Sequence, residues 1–381
     1  MSDCVTLSDC NERSSDRVAS VALSLATGIG PRLQASLLSR FGSCRAVLSQ
    51  PKQMLLQVEG IGEKTADAIL DAQLLHQADE MILQCSRLGV EILLHSEDAG
   101  YPRRLREICD APQVIYRRGM LLPQDELAVA IVGARRCSTY GRRHAERLAA
   151  QLSRAGLTIV SGLARGIDLA AHQGALTAGG RTLAVLPGGV TTVYPPEHDK
   201  LAQEISEQGA VLSEMPLNQR ILPGLFPQRN RVISGLSLGV IVIEAARNSG
   251  ALYTARHALE QGREVLALPG PVDSLASAGC HELIRDGVTL VRHADDVLEA
   301  LGPLPGPANP AKNVTVHTPR ELNLNAIESA VLNQITLDPV SIDEVLRTTR
   351  AESSQVLATL TVLEVRRLIR RLPGNFVVRY S

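Results

Sequence analysis

From Val90 onward the chain alternates apolar runs of strand length with helical patterns, and this alternation narrows the possible folds more than any other feature. The runs are Val90–Leu94, Gln113–Tyr116, Ala128–Val132, Thr158–Val160, Thr182–Leu186, Ala210–Leu212, Gly239–Ile243, Glu264–Leu268 and Thr289–Val291. Strands that are apolar on successive residues are buried on both faces, as in a parallel sheet covered by helices. Amphipathic segments such as His144–Ala155 and Leu169–Thr177 supply such helices between the later runs. The expected fold class is α/β: an extended Rossmann-like, doubly wound sheet over Ala128–Val291, with extra strands before it.

The flanks read differently. Residues 1–16 are polar and are expected as a disordered N-terminus, without the apolar core of a signal peptide. Residues 17–85 read as short helices around two glycine triplets, Gly28-Ile29-Gly30 and Gly60-Ile61-Gly62. This weak repeat is of the helix–hairpin–helix (SAM-like) kind, and few cations flank it, so phosphate contact is not expected there. The sheet domain is expected over 86–301 and a proline-rich linker over 302–321. Residues 322–381 carry three helical patterns, Asn325–Gln334, Ser341–Leu346 and Glu352–Arg366, then a hairpin of Leu368–Arg371 and Asn375–Arg379. That order is winged-helix-like, with local charge from Arg366, Arg367, Arg370 and Arg371. Such a domain reads duplex DNA or, more often, contacts protein.

Composition removes several classes. The net charge of −1 excludes a generally basic chain, so any polyanion surface must be a local patch. With no Trp, three Phe and six Tyr, extensive base stacking on aromatics is not expected. The seven cysteines are scattered and form no CxxC pair, which points to a reducing, cytoplasmic compartment and to no metal site. No apolar run is long enough to span a membrane.

The chemistry-bearing residues sit where strands end. Ile131-Val-Gly-Ala-Arg-Arg136 closes the first core strand with Gly133, which lets backbone pass close to an anion while Arg135 projects over it. Ser161-Gly-Leu-Ala-Arg-Gly166 closes the second and offers Ser161, Gly162 and Arg165 as an anion nest. Pro187-Gly188-Gly189 gives a further close backbone approach after the third. Phe226-Pro-Gln-Arg-Asn-Arg231 places Arg229, Asn230 and Arg231 consecutively, and guanidinium groups fork onto phosphate oxygens. Asn248, Ser249, Gly250 and Thr254 open a later helix as neutral donors. Asp168 and His172 form an acid/base pair on a hydrolytic reading. On the structural reading, which is the one expected, Asp168 is a cap or internal acceptor with His172 as its partner. Glu214 and Glu244 are expected to orient Arg229, Arg231 and Arg247 rather than to hold a metal. No G-x-G-x-x-G, HExxH or Walker lysine loop is present, so no catalytic set and no cofactor are expected.

Taken in order, these motifs resemble the DNA-processing protein DprA (Smf) family. The match runs through Val132-Gly-Ala-Arg-Arg with Ser138 and Tyr140-Gly141, then Ser161-Gly-Leu-Ala-Arg-Gly-Ile-Asp with Ala171-His172. It continues through Ala184-Val-Leu-Pro-Gly-Gly with Tyr194-Pro195, Ser213-Glu-Met-Pro216, Phe226-Pro-Gln-Arg-Asn-Arg and Ser249-Gly-Ala-Leu with Thr254. Gly262-Arg-Glu-Val with Pro269-Gly270 completes it, and Tyr101-Pro102 and Gln113–Gly119 fit the extended sheet. The resemblance implies a non-enzymatic protein that binds and protects single-stranded DNA and loads RecA recombinase onto it in natural transformation. It also implies a homodimer formed through the Rossmann domain. The implied phosphate pocket comprises Gly133, Arg135, Ser161, Gly162, Arg165, Arg229 and Arg231, to which the reading of the residues adds Gly188, Asn230, Ser249 and Gly250. The chain departs from the family pattern at Gly189-Val-Thr191, at Pro196-Glu197 and at Cys280-His281. At the second of these many members carry a cation, and Lys200 is the nearest substitute.

Two other classes stay open at this level. Related Rossmann proteins with similar loops hydrolyse nucleoside monophosphates, but they use Pro-Gly-Gly-x-Gly-Thr-x-x-Glu, and here Pro187-Gly-Gly189 continues without the third glycine or the glutamate. A pure adaptor with a vestigial phosphate pocket is the other.

Overall fold

The computed structural model describes residues 7–96, 98–217, 219–302 and 326–379, less 337–338, 350–352, 366–367 and 373. The expected linker lies outside the described residues apart from Gly302, as do Arg366 and Arg367.

Six helices come first: α1 (Leu7–Leu25), α2 (Pro31–Phe41), α3 (Cys44–Leu48), α4 (Lys52–Leu55), α5 (Glu63–Ile69) and α6 (Leu74–Arg87). Helix α1 begins inside the segment expected to be disordered. The two glycine triplets precede α2 and α5, and Gly28 and Gly60 turn at closely matched positive φ, +87° and +85°. Lys52 is held by Glu63 and Asp67, each at 2.6 Å.

Then follow β1 (Glu91–Leu94), α7 (Arg103–Arg106), β2 (Val114–Gly119), β3 (Ala128–Gly133), α8 (Thr139–Arg154), β4 (Thr158–Ser161), α9 (Ile167–Thr177) and β5 (Thr182–Val185). The domain continues with α10 (Asp199–Gln208), β6 (Ala210–Ser213), α11 (Leu225–Gly235), β7 (Gly239–Ile243), α12 (Gly250–Glu260) and β8 (Glu264–Ala267). It closes with α13 (Ala278–Arg285), β9 (Thr289–Leu290) and α14 (Ala294–Leu301). All nine expected strands form and lie in one sheet of order β1-β2-β6-β5-β4-β3-β7-β8-β9. The strands from β6 to β9 are parallel, and β1 and β2 add to the β6 edge in antiparallel register.

The alternating side chains of each strand feed two cores. Ala128, Ala130, Val132, Val240 and Val242 face α11 and α12, whose Val232, Ile233, Ala251 and Ala255 cover them. Val129, Ile131, Ile241 and Ile243 face the other way, under Leu148 and Leu152 of α8 and Ile167 and Ala171 of α9. A third core joins the N-terminal helices to β1 and β2 through Ile92, Leu94, Val114 and Tyr116. Strand order reverses between β3 and β7, because the chain first winds from β3 to β6 and then returns to lay β7 on the other side of β3. A doubly wound sheet opens its ligand crevice at such a point. Gly133 ends β3 there, and a Cβ on it would strike the Ile243 carbonyl and stand 2.7 Å from Ile167 Cγ1.

The tail forms α15 (Ala326–Leu332), β10 (Val340–Ser341), α16 (Ile342–Thr348), α17 (Ser353–Val365), β11 (Ile369–Leu372) and β12 (Phe376–Arg379). The expected hairpin is β11–β12, and β10 joins it to make a three-stranded sheet of order β10-β12-β11. Ile335, Val345, Leu360, Leu363, Ile369 and Val377 form its own core. Of the tail arginines, Arg370 is exposed and Arg371 pairs with Glu364 at 3.4 Å.

Among the described residues no helix is long and apolar enough to cross a membrane. No group of His, Cys, Asp or Glu among them has the arrangement of a metal site.

Candidate nucleic-acid interface

A cavity of about 380 Å³ opens at the reversal point. It gathers Gly133 and Arg135 from the loop after β3, Ala164 and Asp168 from the loop after β4, Phe226, Arg229 and Asn230 from α11, and Ser249, Gly250 and Thr254 from α12. Six of the twelve expected site residues therefore line one cavity: Gly133, Arg135, Arg229, Asn230, Ser249 and Gly250.

Arg135 is the exposed cation of the set. Its guanidinium carbon stands 4.6 Å from the centre of the Phe226 ring, a cation–π distance. Tyr194 meets the Phe226 ring in an edge-on arrangement, with ring centres 5.9 Å apart. Arg229 is buried and structural on one side. Its Nη1 donates to the carbonyls of Gly162 and Val185, both at 2.6 Å, and its Nε donates to Asn230 Oδ1 at 3.2 Å. Among the described residues Nη2 has no hydrogen-bond partner, and the residue lines the cavity. Burial lowers its pKa to about 10, against the pull of Asp168, so it stays charged at neutral pH. Gly162 is required beneath it, since a Cβ there would fall on the guanidinium.

Helix α12 adds a backbone donor site. Ser249 caps it, its hydroxyl accepting from Ala251 N–H at 3.3 Å, and its first turn holds no acid. Asn230 ties α11 to this turn by donating to the Gly250 carbonyl at 3.3 Å. Thr254 lines the cavity with a buried hydroxyl that has no hydrogen-bond partner among the described residues. The Gly250 N–H at the start of α12, one exposed guanidinium, one buried guanidinium and the Thr254 hydroxyl are groups that suit a phosphate site.

The other six expected residues are placed elsewhere. Arg231 is a correction to the expected pocket: it is turned away, donating to Glu214 and to the Asp110 carbonyl, with Asp110 Oδ2 at 3.6 Å. Glu214 thus orients an arginine, as expected. Glu244 does not. Its carboxylate accepts from the Ser138 N–H at 2.7 Å and from the Ser138 hydroxyl, which neutralises the N-terminal end of α8. Arg247 pairs with Glu282 instead, at 2.7 Å. Ser161 spends its hydroxyl on the Ile131 carbonyl at 2.6 Å. Gly162 sits under Arg229 and does not line the cavity. Gly188 is fixed by Ser213, whose hydroxyl donates to its carbonyl at 2.6 Å. Arg165 is exposed and bound by Glu197 at 2.6 Å, which holds the Glu197 carboxyl below its usual range. Lys200 is exposed on α10, outside the cavity lining. Of the departures from the family pattern, Thr191 donates to the Leu217 carbonyl at 3.2 Å and His281 Nε2 lies 3.0 Å from the Gly270 carbonyl.

Asp168 is the expected internal acceptor, taking the N–H groups of Gly162 at 3.1 Å and Ala164 at 3.4 Å. His172 is not its partner. The Thr182 hydroxyl donates to the Ile159 carbonyl, so the 2.7 Å contact with Thr182 fixes the His172 proton on Nδ1 and leaves Nε2 bare. Burial, aided by His198 and Arg229, pushes its pKa down to about 3. A histidine lowered on folding stabilises the fold above its unfolded value of 6.5 and loses that contribution as pH falls toward 3. The urea midpoint should therefore drop between about pH 7 and about pH 5, and His172→Gln should flatten that drop. Equal pH dependence in both proteins would contradict the assignment.

Comparison with known proteins agrees with this layout. The family described as DNA recombination-mediator protein A matches residues 92–302, the whole nine-stranded domain. This chain belongs to the DprA/Smf family. The DprA winged helix domain matches 316–375, and the SAM-like helix-hairpin-helix tandem matches 22–72. Protein Smf of Escherichia coli is 39% identical over 75% of this chain and 76% of its own length. Protein Smf of Synechocystis is 31% identical over 93% and 96%. Among solved structures, DNA processing protein A from Streptococcus pneumoniae is 34% identical with a TM-score of 0.64, covering 74% of this chain and 96% of that one. DNA processing protein A from Helicobacter pylori, solved for its single-stranded DNA binding mode, is 31% identical with a TM-score of 0.50 and covers 55% and 93%.

Asn248 and Thr254, read from the sequence as neutral donors, line the cavity, and so do Phe226 and Tyr253, which were not read as site residues. Their signal was position: all lie within a few residues of the motif arginines or of the α12 cap.

Proposed function

We propose that this protein binds single-stranded DNA through its phosphate backbone, with Arg135, Arg229 Nη2 and the Gly250 N–H at the start of α12 holding phosphate at the reversal point. The observation that carries this reading is the cavity itself, which combines an exposed arginine, a buried arginine, the start of α12 and a Thr254 hydroxyl without a partner among the described residues. The single-stranded DNA binding of the Helicobacter pylori relative supports the ligand class. Protection of the strand, loading of a RecA recombinase, homodimer formation and a cytoplasmic location complete the proposal by family likeness. Binding rather than hydrolysis is supported by the state of Asp168 and His172, one spent on backbone amides and the other buried, neutral and bonded to Thr182.

Phosphate contacts carry no base code. Fluorescence anisotropy should thus give similar affinities for oligothymidine and oligodeoxyadenosine of equal length, both falling with salt, and weaker binding of the duplex. A preference for duplex, or no binding of either strand, would refute the proposal.

A further inference from the structure

Resting on that reading, we infer that the strand leaves the cavity over the loop that follows β3 and runs along an arginine track on the outer face of α8. Residues 135–147 hold five arginines and one acid, in a chain whose net charge is −1. Arg135, Arg136, Arg142, Arg143 and Arg147 are all exposed. Among the described residues none of Arg136, Arg142 and Arg143 is ion-paired, while Arg147 donates to His144 at 3.2 Å, an uncharged partner. Glu146, the one acid of the segment, forms no ion pair among the described residues.

This placement works against the helix. Arg142 and Arg143 stand at the end of the first turn of α8, where the macrodipole favours acids and where this helix has none. Arg143 and Arg147 lie four apart and repel. The rings of Tyr140 and His144 lie against each other beside them, centres 4.3 Å apart. Glu244 caps the helix N-terminus from below through Ser138 and makes no ion pair with these arginines among the described residues. Their unpaired charge is complementary to a polyanion, and the track is continuous with the cavity, because Arg135 belongs to both. Arg142 to Arg147 covers roughly 8 Å of helix axis, enough to follow a strand past the pocket. The occupant is therefore the continuation of the same strand.

The test compares a short oligothymidine that only fills the cavity with one several times longer, in an anisotropy salt series. Each phosphate contact to a single strand contributes about 0.7 to the slope of log K against log salt. The triple variant Arg142→Gln, Arg143→Gln and Arg147→Gln should bind the long strand about 10- to 100-fold more weakly at low salt, with a slope shallower by about 2. Its affinity for the short strand should be unchanged. If the triple variant does not fold, Arg147→Gln alone should lower the long-strand slope by about 0.7. An unchanged long-strand slope in a variant, with binding of both lengths still lost in Arg135→Ala, overturns the track and leaves the pocket standing. Equal weakening of both strands also overturns it. A wild type that binds neither length overturns the pocket reading itself.

Discussion

Arg229→Met should cost about 2–5 kcal/mol of stability, because each buried group left without its hydrogen-bond partner costs about 1–3 kcal/mol. The loss comes from three sides. Asp168, itself buried, loses a nearby positive charge and keeps its two backbone donors. The carbonyls of Gly162 and Val185 lose the donor they share. The β4 and β5 loops lose the group that ties them to α11. The effect should also depend on pH in a definite direction. Burial raises the Asp168 pKa above 3.8, while the Arg229 charge and the amides of Ala164 and Gly162 lower it. A carboxyl raised on folding gives its stability below the unfolded value and loses it as pH rises through the folded one. Without Arg229 the folded value rises further, so the variant should be penalised more at neutral pH than in mild acid. Urea midpoints across that range check this, and adding Asp168→Asn should restore part of the loss. A midpoint within experimental error of wild type would mean that Arg229 does not hold the loops.

Arg135→Ala should leave stability nearly unchanged and lower strand affinity by a large factor. The side chain is exposed, and its protein contact is the face of Phe226. A hydrogen bond to a charged group is worth roughly 1.5–3 kcal/mol, or about 10- to 100-fold in affinity. The loss should be the same for every base composition, because a phosphate contact fixes position and not sequence.

The sheet was legible because apolar runs bounded by glycine and polar turns are what a doubly covered parallel strand requires, and all nine appear near their expected limits. Strand β10 was not legible: two residues, Val340 and Ser341, carry too little pattern, and pairing to β12 defines them. The cavity was legible where backbone geometry decides it, at Gly133 and at the α12 cap. Arg231 was misplaced for a simple geometric reason. Leu225–Gly235 is a helix, and residues two apart on a helix point about 200° away from each other, so Arg229 and Arg231 cannot serve one pocket. The partners that absorb Arg231 include Asp110, distant in sequence and brought in only by the sheet extension. Arg165 and Glu197 likewise belong to two loops whose meeting depends on β4 and β5 lying side by side.

The most direct test is the salt slope of oligothymidine binding for the wild type and Arg135→Ala, measured side by side. Phosphate held by Arg135 requires a slope shallower by about 0.7 in the variant, together with the drop in affinity. An identical slope and affinity in the two proteins would remove the strand from the reversal-point cavity and contradict the proposed site.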